Sequence, residues 1–188
     1  MQGPMIIAVC GDSGAGKSTT TGLLRDAGFS AFSLSGYLRA KAEAAMDQPS
    51  RAQVQAYGKT LQQDHGNDYF ARRLLAEMEV LSAGDAVIDG MRNIDEVAYI
   101  RAKAEVAGAT FVLLALVLDA EQRFARVQGR SRSGDPADFI TFTKDDARAN
   151  GTEGAFQNNA ALIAAADIRL VIDHDMATLW RDLQKELE

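Results

Sequence analysis

Residues 11–18 read Gly-Asp-Ser-Gly-Ala-Gly-Lys-Ser and fit the pattern G-x-x-x-x-G-K-[ST] at every fixed position. The chemistry of that spacing is phosphate binding. Gly11, Gly14 and Gly16 let the backbone curl so that its N–H groups converge on an anion. A helix starting at the end of the loop adds its positive dipole end. Lys17 offers a point charge to β- and γ-phosphates, and the Ser18 hydroxyl is a Mg²⁺ ligand. The nucleotide-binding set expected on this basis is Gly11, Asp12, Ser13, Gly14, Ala15, Gly16, Lys17, Ser18 and Thr19. A glycine-rich turn that binds nothing is the alternative reading, but it has no need of a strand before it and a helix after it in that order.

Those flanking elements are present. Met5 to Cys10 is a short apolar run of the kind buried in a parallel sheet. Ser18 to Ala27 is helical in pattern, with Gly28 placed as its C-cap. A second candidate group, Asp89, ends the apolar run Ala86-Val87-Ile88. At the end of a strand beside the phosphate loop, a carboxylate can hold Mg²⁺ directly or through water; otherwise it is a cap or turn residue. Arg39 and Arg92 follow two expected strand ends, where guanidinium groups suit an acceptor's phosphate. Arg126 and Arg130 are four apart on one helical face, beside Ser133-Gly134-Asp135-Pro136, a loop whose composition predicts mobility. They are placed to close over a transferring phosphoryl group, the alternative being a surface ion-pair helix. Arg123 and Arg132 are weaker candidates, and Lys41, Arg51, Lys59 and Arg72 carry no signal of their own.

The remaining elements must form the scaffold. Phe29 to Leu34 predicts a second strand and Ser35 to Met46 a helix. Pro49 suits the first turn of a further helix running to about Gln63. Asp68 can cap a helix whose apolar stripe is Phe70, Leu74, Met78 and Leu81. Asn93 with Glu96 predicts a capping box for a helix ending near Gly108. Thr110 to Leu118 is apolar on both faces, hence internal to the sheet, and Asp119 with Gln122 opens another helix. Helical stretches over about 137–149 and 155–165, a strand Ile168 to Ile172, and a closing helix with Trp180 as a core anchor complete the chain. Five strands alternating with helices imply a single α/β domain, a doubly wound parallel sheet with ligands beyond the strands' carboxyl ends.

The chain has 188 residues, 47% hydrophobic and 24% charged, with a net charge of −6. That balance argues against general affinity for nucleic acid or anionic membrane, so phosphate sites must be local basic clusters. The one cysteine, Cys10, excludes an intrachain disulfide and fits a reducing cytoplasm; it reads as a small buried strand residue rather than a nucleophile. No apolar run is long enough to span a bilayer. Residues 1–4 read as a disordered lead-in. His65 and His174 lie in expected loops, too isolated to suggest a metal site.

With these residues in view, the chain resembles the P-loop nucleoside and nucleotide kinases: adenylate kinase, dephospho-coenzyme A kinase and a group of small archaeal and phage kinases. Ser33-Leu34-Ser35-Gly36-Tyr37-Leu38-Arg39 is similar to the S-x-G-D-L-L-R of adenylate kinases. Asp89-Gly90-Met91-Arg92 looks like a shortened D-G-F-P-R. Arg126-Val127-Gln128-Gly129-Arg130 matches the R-x-x-G-R that opens their lid, expected here over about 126–138. Lys144-Asp145-Asp146 resembles the R-x-D-D beyond it, with Thr143 in the family arginine's place.

The resemblance implies a cytoplasmic, Mg²⁺-dependent kinase that moves the γ-phosphoryl group of ATP to a nucleotide-like small molecule, with Lys17, Asp89, Arg126 and Arg130 catalytic and Arg39 and Arg92 binding the acceptor. One position departs: Gly36 stands where related kinases carry the Asp that takes a proton from a hydroxyl acceptor. A phosphate acceptor, as in a (deoxy)nucleoside monophosphate, needs no such base. The rival readings are a hydroxyl-acceptor kinase, acting on a dephospho-coenzyme A-like molecule, a nucleoside or a nucleic-acid base or end, and a P-loop switch that is no kinase. For the hydroxyl case Asp12 or Asp89 would have to replace the base.

Overall fold

The computed structural model describes residues 3–130, 135–150, 157–171 and 176–187; in the last of these spans the side chains of 176–177, 179–180 and 186–187 are outside the description. Five parallel strands form one sheet: β1 (Met5–Cys10), β2 (Ser30–Ser33), β3 (Ala86–Asp89), β4 (Thr110–Val117) and β5 (Ile168–Val171). Their order is β2-β3-β1-β4-β5, so β1 is central and the chain reverses direction across the sheet on either side of it. That reversal opens a crevice at the carboxyl end of β1, where an open α/β sheet binds its ligands.

Nine helices flank the sheet: α1 (Lys17–Asp26), α2 (Leu34–Ala45), α3 (Arg51–His65), α4 (Tyr69–Glu77), α5 (Ile94–Val106), α6 (Ala120–Arg130), α7 (Phe139–Ala149), α8 (Asn159–Ala164) and α9 (Met176–Leu187) among the described residues. The period of two along β1 divides the core. Ile6, Ala8 and Cys10 face a cluster with Leu38, Phe70, Leu74 and Ile100, while Ile7 and Val9 face one with Leu24 and Leu183. One face of the sheet is thus covered by α2, α4, α5 and α8, the other by α1 and α9. Both faces being covered explains why β1, β3 and β4 read as continuous apolar runs.

Several boundaries differ from the sequence reading, each for a local reason. Helix α2 begins at Leu34 because the Ser33 hydroxyl accepts the Gly36 N–H as its cap. Helix α3 is opened not by Pro49 but by a capping box of Ser50 and Gln53, and it runs through His65, which is helical rather than in a loop. Asp68 occupies the N-cap of α4 without a side-chain cap bond; its carboxylate pairs with Arg72 instead, at 3.2 Å. The α4 stripe keeps Phe70 and Leu74 buried but loses Met78, 45% exposed, because the helix ends at Glu77. Asn158 and Gln157 are not helical, so α8 starts later than expected. Pro4, expected in a disordered lead-in, accepts a bond from the Thr110 N–H at 2.8 Å. The Asn93–Glu96 capping box of α5 forms in both directions. His174, Arg132 and the Trp180 side chain lie outside the described residues.

Candidate active site

The loop after β1 wraps around its own lysine. Lys17 Nζ donates to the carbonyls of Gly11 at 2.6 Å and Asp12 at 2.8 Å. Burial pushes the amine down to about 8; Asp12, Cys10 and Asp89 oppose that shift and Arg130 adds to it. An ammonium this desolvated, bound among the described residues to carbonyl oxygens, suits an anionic ligand. Gly14 is indispensable to the loop's path: its φ is 84°, and a Cβ there would lie 2.5 Å from the carbonyl oxygen of Arg123. Ser18 and Thr19 are exposed in the first turn of α1. Cys10 is buried, and burial raises its thiol to about 12, which leaves it a protonated packing residue.

Asp89 ends β3, directly beside β1, with Ser33 of β2 as its register partner on the other side. Its Oδ1 is buried and has no hydrogen-bond partner among the described residues. An orphaned carboxylate oxygen within electrostatic reach of Lys17 is a fit for a divalent cation. Among the described residues no group of three or more His, Cys, Asp or Glu forms a cage, so a cation here would share its coordination with Ser18 and phosphate oxygens.

Sequence spacing put Arg126 and Arg130 ahead of Arg123, and the structure separates them by depth. Arg123, in the first turn of α6, is buried beneath the phosphate loop. Its Nε donates to the Leu118 carbonyl at 3.0 Å and one terminal nitrogen to the Ser13 carbonyl at 3.1 Å. The other terminal nitrogen pairs with Asp146 at 2.5 Å, lies 4.0 Å from Asp12, and the group stacks over Phe142. Helix α6 is therefore anchored to the loop at its start. Arg130, two turns further on, forms a two-pronged pair with Asp135 at 2.9 and 2.8 Å, and is 3.5 Å from the Ser13 hydroxyl. Arg126 is exposed on the same helix. Residues 131–134 of the expected lid fall outside the described residues.

The acceptor candidates are unequal. Arg92 is half-buried after β3, and its guanidinium is held below its ordinary range by burial, Glu96 opposing and Arg51 adding. Its backbone is fixed by Glu96, whose Oε2 accepts from Arg92 N at 2.8 Å and Asn93 N at 3.3 Å. Glu96 is fully buried, which raises its carboxyl to about 7 against the pull of those two N–H groups. Gly90, at φ 80°, lets this loop approach α2: a Cβ there would meet Ser35 N at 2.8 Å. Arg39 is exposed on α2. At Gly36 the backbone N–H serves the Ser33 cap and no side chain is available as a base.

Sequence reasoning missed two asparagines. Asn150 and Asn159 each donate an amide to Asp12 Oδ1 at 3.2 Å, from 138 and 147 residues away in sequence. Neither belongs to a motif, and no local signal marks them.

The strand order, the glycine loop after the central strand and the carboxylate on its neighbour define a P-loop kinase fold. The shikimate kinase of Bacteroides thetaiotaomicron has that fold, with a TM-score of 0.60 over 97% of this chain and 98% of its own at 13% identity. APS kinase of Mycobacterium tuberculosis, in complex with AMPPNP and APS, has a TM-score of 0.52 over 100% of this chain and 99% of its own at 19% identity. A UPF0200 protein of Pyrobaculum aerophilum is 32% identical over 143 residues, 76% of each chain, and a family profile described as an AAA domain matches residues 7–149. The chain belongs to that AAA-domain family and to the UPF0200 proteins. Among the described residues no helix is long and apolar enough to cross a membrane.

Proposed function

We propose that the protein is a cytoplasmic, Mg²⁺- and ATP-dependent phosphotransferase acting on a nucleotide-like acceptor, with a phosphate, as in a nucleoside monophosphate, as the reacting group. The observation that carries this reading is the buried Lys17 amine in the loop after β1, within electrostatic reach of an Asp89 oxygen at the end of β3 that has no hydrogen-bond partner among the described residues. In this reading residues 11–19 hold the donor's phosphates, Ser18 and Asp89 hold the metal, and the divalent charge supplied there offsets negative charge on the phosphates. Lys17 leaves its two carbonyl partners to neutralise charge on the β- and γ-phosphates. Arg126 and Arg130 act from above the loop, and Arg130 exchanges Asp135 for a phosphate oxygen. Arg92 and Arg39 orient the acceptor so that its oxygen attacks in line; the new phosphoanhydride bond forms as the bond to the leaving diphosphate breaks.

The preference for a phosphate rests on what could take a proton. Gly36 offers no base, and Asp12 faces two asparagine amides through Oδ1 and Arg123 at 4.0 Å from Oδ2. A phosphate acceptor arrives ionised and needs neither. Asp89 favours the hydroxyl-acceptor reading only if its orphan oxygen acts as base instead of metal ligand. The experiment is transfer from labelled ATP across nucleoside monophosphates, nucleosides, dephospho-coenzyme A and DNA ends. Label in a nucleoside diphosphate supports the proposal. Label in an ester supports the hydroxyl reading, and hydrolysis indifferent to every acceptor supports a switch.

A further inference from the structure

Helix α8 is entered by two residues that reach in opposite directions. Asn158 spends its side chain on the helix itself, Oδ1 accepting from Ala161 N at 2.9 Å, while its backbone N–H donates to the Arg92 carbonyl at 2.7 Å. The next residue, Asn159, donates Nδ2 to Asp12 Oδ1 at 3.2 Å. Consecutive residues, with Cα atoms about 3.8 Å apart, thus join the loop after β3 to the phosphate loop after β1. The two loops belong to neighbouring strands, but strand pairing between β1 and β3 stops at Ala8 and Ile88, before either loop begins. Beyond that point this bridge is one direct hydrogen-bonded connection between them.

The bridge is anchored at both ends. The same Asp12 Oδ1 also accepts the Asn150 amide, and Oδ2 faces Arg123 at 4.0 Å. Arg92 is held by the buried Glu96. A carboxylate oxygen accepting two amide N–H groups at 3.2 Å in a half-buried setting is fixed in position by both donors.

We infer that Asn159 is a positioning residue that couples the donor loop to the acceptor loop: through Asp12 it senses the state of the phosphate loop, and through Asn158 it sets the placement of Arg92. The inference rests on the kinase reading for what the two loops bind, but not for the link itself. Asn159 would touch neither substrate.

Two measurements on the full chain test it. The first needs no ligand: amide hydrogen exchange at Asn158 in Asn159→Ala and in Asp12→Ala. Asp12 makes no bond to Asn158 among the described residues, so an effect of Asp12→Ala at Asn158 is a transmitted one, and its match to that of Asn159→Ala assigns it to this link. Exchange at Asn158 at least about fivefold faster in both variants, with global stability matched by urea titration, supports the link. Unchanged exchange in either overturns it. The exchange of roles in Asp12→Asn/Asn159→Asp keeps a donor facing an acceptor and should restore protection.

The second measurement is steady-state kinetics of Asn159→Ala with ATP and the nucleoside monophosphate most readily turned over. The expected result is an acceptor KM raised about tenfold at saturating ATP, with the ATP KM within about twofold of the parent. A residue that merely braced the phosphate loop would raise the ATP KM and spare the acceptor; that result overturns the coupling. A parent protein that phosphorylates no monophosphate refutes the proposed function, and the exchange experiment then decides the link alone.

Discussion

Replacing Arg123 by methionine should destabilise the protein severely, although Arg123 lies outside every recognisable motif. The side chain is 6% exposed and its ion-pair partner Asp146 sits in the same buried cluster. Methionine fills the aliphatic volume over Phe142 but removes all donors. The carbonyls of Leu118 and Ser13 then lose their partners, and Asp146 is left as an unpaired, largely buried carboxylate. Breaking one side of a buried pair costs about 3–5 kcal/mol. For a chain of this size each kcal/mol lowers Tm by roughly 2–4 °C, so the melting point should fall by roughly 6–20 °C. The double variant Arg123→Met/Asp146→Leu removes the stranded charge and should recover more than half of the loss. Scanning calorimetry of the parent, both single variants and the pair supplies the cycle. A single-variant loss below about 1 kcal/mol, the range of an exposed ion pair, would refute the view that α6 is pinned to the phosphate loop through this group.

Lys17→Ala should abolish phosphoryl transfer by orders of magnitude with a parent-like melting curve, because the amine meets carbonyls rather than core; retained turnover would contradict its role. With the Lys17 ammonium titrating at about 8, nucleotide affinity of the parent should fall as pH rises above that value, a dependence read by calorimetric titration and absent from Lys17→Met. Arg126→Ala and Arg130→Ala should lower kcat more than they weaken nucleotide binding; equal losses in affinity at constant kcat would make them ground-state contacts. Glu96 binds its proton up to about 7 in the folded chain against an ordinary value of 4.5, so it favours the native state below 4.5 and loses that contribution as pH rises through 7. Glu96→Gln should flatten that part of the urea-midpoint profile between those pH values while keeping an acceptor for the α5 cap.

The parts of the site that were legible in sequence are those governed by local chemistry. Gly14 must be glycine because of its own φ, and Asn93 and Glu96 cap α5 across three residues, so spacing alone reveals both. Asp89 was legible because an apolar run that ends in a carboxylate implies a strand end. The less legible residues depend on sheet order. Arg123 and Arg130 share a helical face in sequence, but only the first lies under the phosphate loop once β4 is seated beside β1. Asn150 and Asn159 bond Asp12 because α7 and α8 return to the carboxyl end of the sheet, a path that no propensity encodes. Met78 shows the converse failure: helical periodicity continued on paper past Glu79, whose φ of 51° turns the chain away.

The most direct measurement is the identity of the phosphorylated product, formed from ATP and a mixture of nucleoside monophosphates and read by phosphorus NMR and mass. The geometry of Lys17, Asp89 and Arg92, with no base at Gly36, predicts a new phosphoanhydride, lost in Lys17→Ala and in Asp89→Asn. A phosphate ester on a hydroxyl, formed with Asp89 as the required base, would contradict the assignment of that carboxylate to the metal and of the acceptor to a phosphate.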